Sequence, residues 1–169
     1  RNLEKYIPLC LNKLHHNRSS YSFLLNEKGG IIDDIIISKI KIEKISYFYI
    51  IYNASRKKQD ESIFLNCADE YILLNKNCLF AIQGPESEYV LNSIVNIPSN
   101  MIFLDSFIIN YKNTNIIISR TGYTGEDGFE ISISTSIAES FIVELIKNNK
   151  TILCGLGSRD SLRLEAGLS

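Results

Sequence analysis

The chain has 169 residues, a formal net charge of −1 and 45% hydrophobic residues. This length and composition are enough for one domain with a real core. The balanced charge argues against nucleic acid as a main partner, because such binding requires a basic surface. No apolar run approaches the roughly 18 residues of a membrane-spanning helix, so we expect no membrane association.

The first half of the chain is predicted to contain three strands and two helices. Helices are predicted at Leu3–Leu14 and Ser55–Asn66, and strands at Tyr21–Leu25, Ile31–Ile40 and Tyr47–Tyr52. Gly29 and Gly30 mark a turn between the first two strands. The third strand is apolar on both faces, and we therefore expect it to be buried.

The second half alternates strands with helices. Strands are predicted at Cys78–Ile82, Met101–Ile109, Ile116–Ser119 and Phe129–Ile133, and helices at Glu86–Val95, from Ser136 to about Asn148, and from about Ser158 onward. Ser136 and Glu139 match the spacing of a capping box. Runs of strands with helices between them predict an α+β fold with mostly antiparallel sheets.

The loop between Ser119 and Phe129 is the most unusual segment of the chain. Three glycines, Gly122, Gly125 and Gly128, interrupt the strand pattern within seven residues. Glycines at this spacing serve tight turns or a close approach of the backbone to another group. On spacing alone, an ordinary hairpin with a polar tip explains the loop equally well.

Four segments together resemble the aminomethyltransferase family, the T-protein of the glycine cleavage system. They are Asn26–Asp34, Ala81–Pro85, Ser119–Glu130 and Gly155–Leu168, in the family's order. The resemblance implies the family's folate-binding domain, with antiparallel sheets and packed helices, over residues 1–169. It also implies that this chain lacks the family's N-terminal segment and its C-terminal barrel-like domain.

The resemblance also implies a reaction. A lipoyl-bound aminomethyl group passes from the H-protein to tetrahydrofolate, with release of ammonia and formation of 5,10-methylenetetrahydrofolate. Tetrahydrofolate is then a co-substrate and the lipoylated H-protein a partner, in the mitochondrial matrix of a eukaryote or the cytoplasm of a bacterium. No metal is implied.

Three other interpretations stay open. One is the folate domain of a dimethylglycine- or sarcosine-oxidising flavoenzyme, although the sequence has no dinucleotide-binding fingerprint. Another is a non-catalytic folate-binding protein of iron–sulfur assembly, whose Lys-Gly-Cys-Tyr signature is absent from the sequence. The third is an α+β domain that only binds a partner.

Adjacent carboxylates at Asp33 and Asp34 fall in a predicted strand, so they point to opposite faces and cannot form a shared acid/base pair. Neighbouring isoleucines should partly desolvate the inward carboxylate, which raises its pKa unless a cation or hydrogen bond offsets the effect. By resemblance, Asp34 is the catalytic aspartate that orients the folate ring nitrogen and assists attack. We therefore expect Asp34 to face inward and Asp33 to matter little; a solvated pair beside a turn is the alternative.

The candidate folate-binding residues are Glu130, Arg159, Tyr123 and Asn53. By resemblance, Glu130 holds the pterin ring, whose adjacent N–H donors suit a carboxylate; a solvent-facing strand residue is the alternative. Arg159 lies at the predicted start of a helix, where the macrodipole disfavours a cation. By resemblance it lies in the ligand site. A local ion pair with Asp160 is the alternative explanation for its position. Tyr123 fits the pocket rim or the core, and Asn53 matches the family's Asn-Ala pattern.

Other polar residues are expected to be structural. Arg163 should pair with Asp160 or cap a neighbouring loop, and Gln83 should end a strand and start a helix. The cysteines have no Cys-x-x-Cys spacing, and adjacent His15 and His16 point in different directions, so we expect no metal site.

Overall fold

The computed structural model describes residues 2–68 and 70–168. The chain forms two compact units, Arg1–Leu74 and Asn75–Ser169. Both units combine helical segments with an antiparallel sheet, which confirms the predicted α+β class. Across the described ranges, no helix is long and apolar enough to span a bilayer.

The first unit is built on a hairpin with a third strand at its edge. Its elements are strands β1 (Arg18–Leu25), β2 (Ile31–Ile42) and β3 (Ile45–Tyr52) and helix α1 (Lys57–Cys67). In the described part of this unit the sheet order is β1-β2-β3, with antiparallel pairing throughout. Asn26 Oδ1 accepts from the backbone N–H of Gly30 at 2.9 Å and closes the predicted turn. Leu24, Ile35 and Phe64 lie in the core of the unit.

The N-terminal segment is not the predicted helix. Two 3-10 turns, Leu3–Lys5 and Leu11–Lys13, occupy this region. Pro8 lies between them. A proline inside a helix lacks the N–H donor, and its ring clashes with the carbonyl four residues earlier. The apolar spacing in this segment therefore reflects burial of turn residues such as Leu11.

Strand β3 is not buried as predicted. All its residues are exposed or half-buried, since β3 pairs on one side only, with β2. Its composition is apolar, but an edge strand receives no neighbour on its outer side. The apolar run of Tyr47–Tyr52 thus predicted the strand correctly and its burial wrongly.

The second unit places the glycine-rich loop between two central strands. Its elements are β4 (Asn77–Gln83), α2 (Ser87–Asn92), β5 (Ser106–Tyr111), β6 (Thr114–Ser119), β7 (Gly128–Ser134), α3 (Thr135–Ile146) and α4 (Leu156–Glu165). The described strands pair antiparallel in the order β4-β7-β6-β5. Leu91 of α2 and Phe141 of α3 are fully buried against Phe129 and Ile131 of β7.

Helix α3 begins with a different cap from the one predicted. Ser134 is the N-cap, and its hydroxyl accepts from the backbone N–H of Ser136 at 3.4 Å. Ser136 itself lies inside the helix, so the predicted capping box is wrong. Strand β7 runs directly into α3, and Ser134 keeps an extended backbone conformation suited to an N-cap.

Candidate functional site

Asp33 and Asp34 lie near the start of β2 and differ in burial, as strand alternation predicts, although both carboxylates reach the side-chain Nδ2 of Asn53. Asp33 shares the core-facing side with Ile35 and is only 8% exposed, whereas Asp34 is exposed. The expectation that Asp34 faces inward is therefore wrong. Isoleucines flank both positions, so the sequence alone did not fix which carboxylate is buried.

Asn53 donates hydrogen bonds to the carboxylates of both Asp33 and Asp34. It follows β3 directly and reaches them because Ile35 pairs with Tyr52 in the sheet. Its side-chain Nδ2 donates to Asp33 Oδ1 at 2.9 Å and to Asp34 Oδ1 at 2.8 Å. Its backbone N–H also donates to Asp33 Oδ2 at 3.3 Å. One amide thus fixes the orientation of two neighbouring acids.

The electrostatics of Asp33 follow from these contacts. Burial opposes ionisation of this carboxyl, but hydrogen bonds with the Asn53 side chain and with Asp60 outweigh it, and the pKa of Asp33 is lowered. Hydrogen bonds to the charged form thus offset the effect of burial, which is the exception that the sequence analysis allowed for the inward carboxylate.

Arg120 fastens the start of the glycine-rich loop. Its Nε and Nη2 donate to the two oxygens of Asp127 at 2.9 and 2.6 Å. Its Nη2 also donates to Glu88 Oε2, and its Nη1 to the carbonyl of Met101, each at 2.7 Å. The guanidinium lies 5.2 Å from the ring centroid of Phe129. The loop is therefore braced at its base, while Gly125 and Glu126 at its tip are exposed.

Two glycines of the loop leave room for the side chain of Gln83. A Cβ at Gly122 or at Gly128 would collide with the Gln83 amide. Gln83 Nε2 donates to the carbonyl of Thr121 at 3.2 Å, and its Oε1 accepts from the hydroxyl of Thr124 at 3.4 Å. Gln83 is the last residue of β4, as predicted, and these contacts tie that end of the strand to the loop.

Replacing Gly122 with alanine should therefore displace Gln83 and lower the free energy of unfolding by about 1–3 kcal/mol, the usual scale for overpacking. Urea denaturation of the purified protein measures the change. Gly157→Ala is the matched control, because a Cβ there meets no atom within 4 Å and alanine favours a helix. Equal stability of the two variants would show that Gln83 does not need this space.

Glu130 is a half-buried carboxylate between two fully buried residues of β7, Phe129 and Ile131. The hydroxyl of Thr121 donates to its Oε2 at 2.6 Å. This contact fixes the carboxylate while each oxygen keeps a lone pair for a further donor. The glutamate is thus oriented by the loop, which a merely solvated strand residue does not require.

Arg159 packs on the glycine-rich loop. Its guanidinium carbon lies 5.0 Å from the ring centroid of Tyr123, which is half-buried. The alternative pair with Asp160 does not form: Asp160 Oδ1 accepts from Arg163 Nε at 2.7 Å. That contact confirms the structural role predicted for Arg163. In the part of the chain that the structure describes, no carboxylate lies within ion-pair distance of Arg159.

The candidate residues thus form two groups, each within one unit. Asn53 contacts Asp34 in the first unit, and Arg159 contacts Tyr123 in the second. Glu130 belongs to the second unit, where Thr121 holds it. Sequence reasoning missed the contacts of Thr121 with Glu130, of Arg120 with Asp127 and Glu88, and of Asp60 with Asp33, because each depends on how the chain folds back on itself.

The fold is shared with a solved enzyme structure. The crystal structure of glycine cleavage system aminomethyltransferase T from Bartonella henselae matches with a TM-score of 0.84 and 32% sequence identity. The match covers 97% of this chain and 45% of that chain. The α+β architecture described above is therefore that of a glycine cleavage aminomethyltransferase.

Sequence comparison identifies the family. The model of the GCVT N-terminal domain family matches residues 1–169, and the chain belongs to this family. A probable mitochondrial aminomethyltransferase from Schizosaccharomyces pombe is 37% identical, over 98% of this chain and 44% of its own length. An aminomethyltransferase from a Thermoanaerobacter species is 36% identical, over 98% of this chain and 47% of its own length. The chain spans a little under half the length of these relatives.

Proposed function

We propose that the protein containing this chain is the tetrahydrofolate-dependent aminomethyltransferase of the glycine cleavage system. The aminomethyl group leaves the sulfur of a lipoyl arm on the H-protein, and its carbon becomes the methylene bridge of 5,10-methylenetetrahydrofolate. Its nitrogen leaves as ammonia, and the lipoyl arm becomes dihydrolipoyl. Membership of the family and the names of the relatives support this proposal. It implies the mitochondrial matrix in a eukaryote and the cytoplasm in a bacterium.

The single observation that carries the proposed chemistry is the contact between Asn53 and Asp34. Asp34 is exposed, yet its Oδ1 is fixed at 2.8 Å from the Asn53 amide. No donor in the described residues engages its Oδ2. An oriented carboxylate with one oxygen available suits a group that aligns the folate nitrogen and assists its attack. The reaction then needs positioning and charge stabilisation, and no nucleophile on the protein.

The proposed folate-binding residues of the second unit have complementary properties. Glu130 accepts the adjacent N–H donors of the pterin's amino-pyrimidine edge, with its orientation set by Thr121. Tyr123 offers an aromatic face or a hydroxyl to the ligand. Arg159 stays cationic and has no carboxylate partner among the described residues, which suits an electron-rich ligand group.

Replacing Glu130 with glutamine tests the binding role. Glutamine keeps the size but turns one acceptor oxygen into a donor, so it cannot accept two N–H groups. We expect binding of tetrahydrofolate to weaken by about 1–3 kcal/mol, the scale of a lost charge-assisted hydrogen bond. Isothermal titration of the full-length gene product with tetrahydrofolate measures this change.

The matched control for Glu130→Gln is Glu139→Gln, because Glu139 is an exposed glutamate on α3 of the same unit. The control should bind tetrahydrofolate as the wild type does. If Glu130→Gln also binds with unchanged affinity, Glu130 is only the polar side of its strand and the binding role is rejected.

A further inference from the structure

Asp60 of α1 is a fully buried acid, with an exposed fraction of 0%. In the described residues, neither of its carboxylate oxygens has an N–H or O–H donor within hydrogen-bond distance. An ionised carboxylate in this position would lose its hydration without replacement, which is strongly unfavourable. Its polar neighbour is the carboxyl of Asp33 on β2.

Two carboxyl groups can form a hydrogen bond only when one of them carries a proton. Burial, the hydrogen bond with Asp33 and the negative charge of Asp33 raise the pKa of Asp60 to about 7, against an opposing effect of Arg56. The pKa of Asp33 is lowered, because its hydrogen bonds with Asn53 and Asp60 outweigh its burial. Asp60 is therefore the donor of the pair, and Asp33 is the acceptor.

We propose that Asp60 is a positioning residue that shares its proton with Asp33 and thereby holds Asn53 and Asp34 in place. Asp33 Oδ1 and Oδ2 both receive hydrogen bonds from Asn53, at 2.9 and 3.3 Å. Asn53 in turn fixes Asp34 at 2.8 Å. The contacts that connect the proton of Asp60 with Asp34 thus lie entirely within the first unit. Only its last consequence, an effect on turnover, rests on the proposed function.

The shared proton makes a definite prediction about pH. The charged groups facing Asp60 are the Asp33 carboxylate from β2 and the Arg56 guanidinium beside the start of α1. The pKa of Asp60 is raised from 3.8 to about 7 on folding, so the folded state binds this proton more tightly. The resulting stability is complete below the unfolded pKa and is lost as the pH rises through about 7. The pKa of Asp33 is lowered. Its ionisation therefore affects stability in a separate pH range, below the ordinary pKa of an aspartate.

The test uses two replacements of Asp60 in the full-length gene product. Asparagine keeps the size, donates an N–H to Asp33 and does not titrate, whereas leucine keeps the approximate volume and removes the donor. Melting temperatures of the wild type and of Asp60→Asn are compared between about pH 5 and about pH 8.5. Titrating groups that do not contact Asp60 cancel in the difference, and Asp33 titrates below this range because its pKa is lowered. The wild type should lose stability relative to Asp60→Asn as the pH rises.

Measurements of kcat and KM distinguish a positioning role of Asp60 from a role in packing alone. Asp60→Leu should lower kcat by about 10- to 100-fold with little change in the KM for tetrahydrofolate, since a misplaced group affects the reacting geometry. Asp60→Asn should restore most of kcat. If Asp60→Leu does not fold, the pH comparison with Asp60→Asn still decides whether a proton is shared.

Two results would overturn the inference. One is a melting temperature whose pH dependence is the same in the wild type and in Asp60→Asn. The other is equal loss of kcat in the asparagine and leucine variants, which would show that the donor has no role. Failure of the wild type to bind tetrahydrofolate would reject the proposed function instead, and the melting comparison would still stand.

Discussion

Replacing Asp34 with asparagine is expected to lower the turnover of the full-length enzyme by about 100- to 10,000-fold, the range attributed to a positioned acid or base. Asparagine keeps the shape and can still contact Asn53, but it removes the negative charge that aligns the folate nitrogen. Binding of tetrahydrofolate should change little, because most of the proposed binding contacts come from other residues. Steady-state rates and calorimetric affinities together measure both effects.

The control for Asp34→Asn is Glu43→Gln, an exposed acid at the turn between β2 and β3. It should behave as the wild type does. Asp33→Asn is no longer expected to be silent, because Asp33 receives two hydrogen bonds from Asn53; we expect an intermediate loss of turnover. A larger loss in Asp33→Asn than in Asp34→Asn would reject Asp34 as the catalytic carboxylate.

The second large effect concerns Arg120. Arg120→Ala removes hydrogen bonds to Asp127, Glu88 and the Met101 carbonyl, together with the contact to the Phe129 ring. Its side chain is only 17% exposed, but those of Glu88 and Asp127 are 39% and 35% exposed, so water compensates part of the loss. We expect the free energy of unfolding to fall by about 2–3 kcal/mol. Urea denaturation measures this value.

Lys150→Ala is the matched comparison for Arg120→Ala. Lys150 pairs with Glu86 at 2.8 Å, but both side chains are largely exposed. Removing such a pair should cost no more than about 1 kcal/mol. Tetrahydrofolate affinity should fall in Arg120→Ala and not in Lys150→Ala, since Arg120 braces the loop that precedes Glu130. Equal small losses in both variants would show that the loop does not depend on Arg120.

Local sequence signals predicted most strands and the last helix well and the N-terminal segment less well. The turn at Gly29 and Gly30 and the alternation on both sides of it define the hairpin of β1 and β2. The helix predicted at the N-terminal segment does not form because Pro8 interrupts it, although the apolar residues have helical spacing. The prediction that β3 is buried was wrong because composition does not show which strand lies at the edge of a sheet.

The candidate site was predicted from motif resemblance, while its support depends on contacts distant in sequence. Alternation predicted that Asp33 and Asp34 differ in burial, but the choice of buried acid depends on which face of β2 packs on the core with Leu24 and Phe64. The role of Asp60 depends on the packing of α1 under Asp33. Similarly, Arg120 reaches Glu88, 32 residues away, which no local pattern indicates.

The central proposal is tested most directly by single-turnover assay of the full-length gene product with aminomethyl-loaded, lipoylated H-protein and tetrahydrofolate. We expect one ammonia and one 5,10-methylenetetrahydrofolate for each aminomethyl group consumed, with both products dependent on tetrahydrofolate and nearly abolished in Asp34→Asn. A folded protein that binds the H-protein but yields no tetrahydrofolate-dependent ammonia or 5,10-methylenetetrahydrofolate would contradict the proposed function.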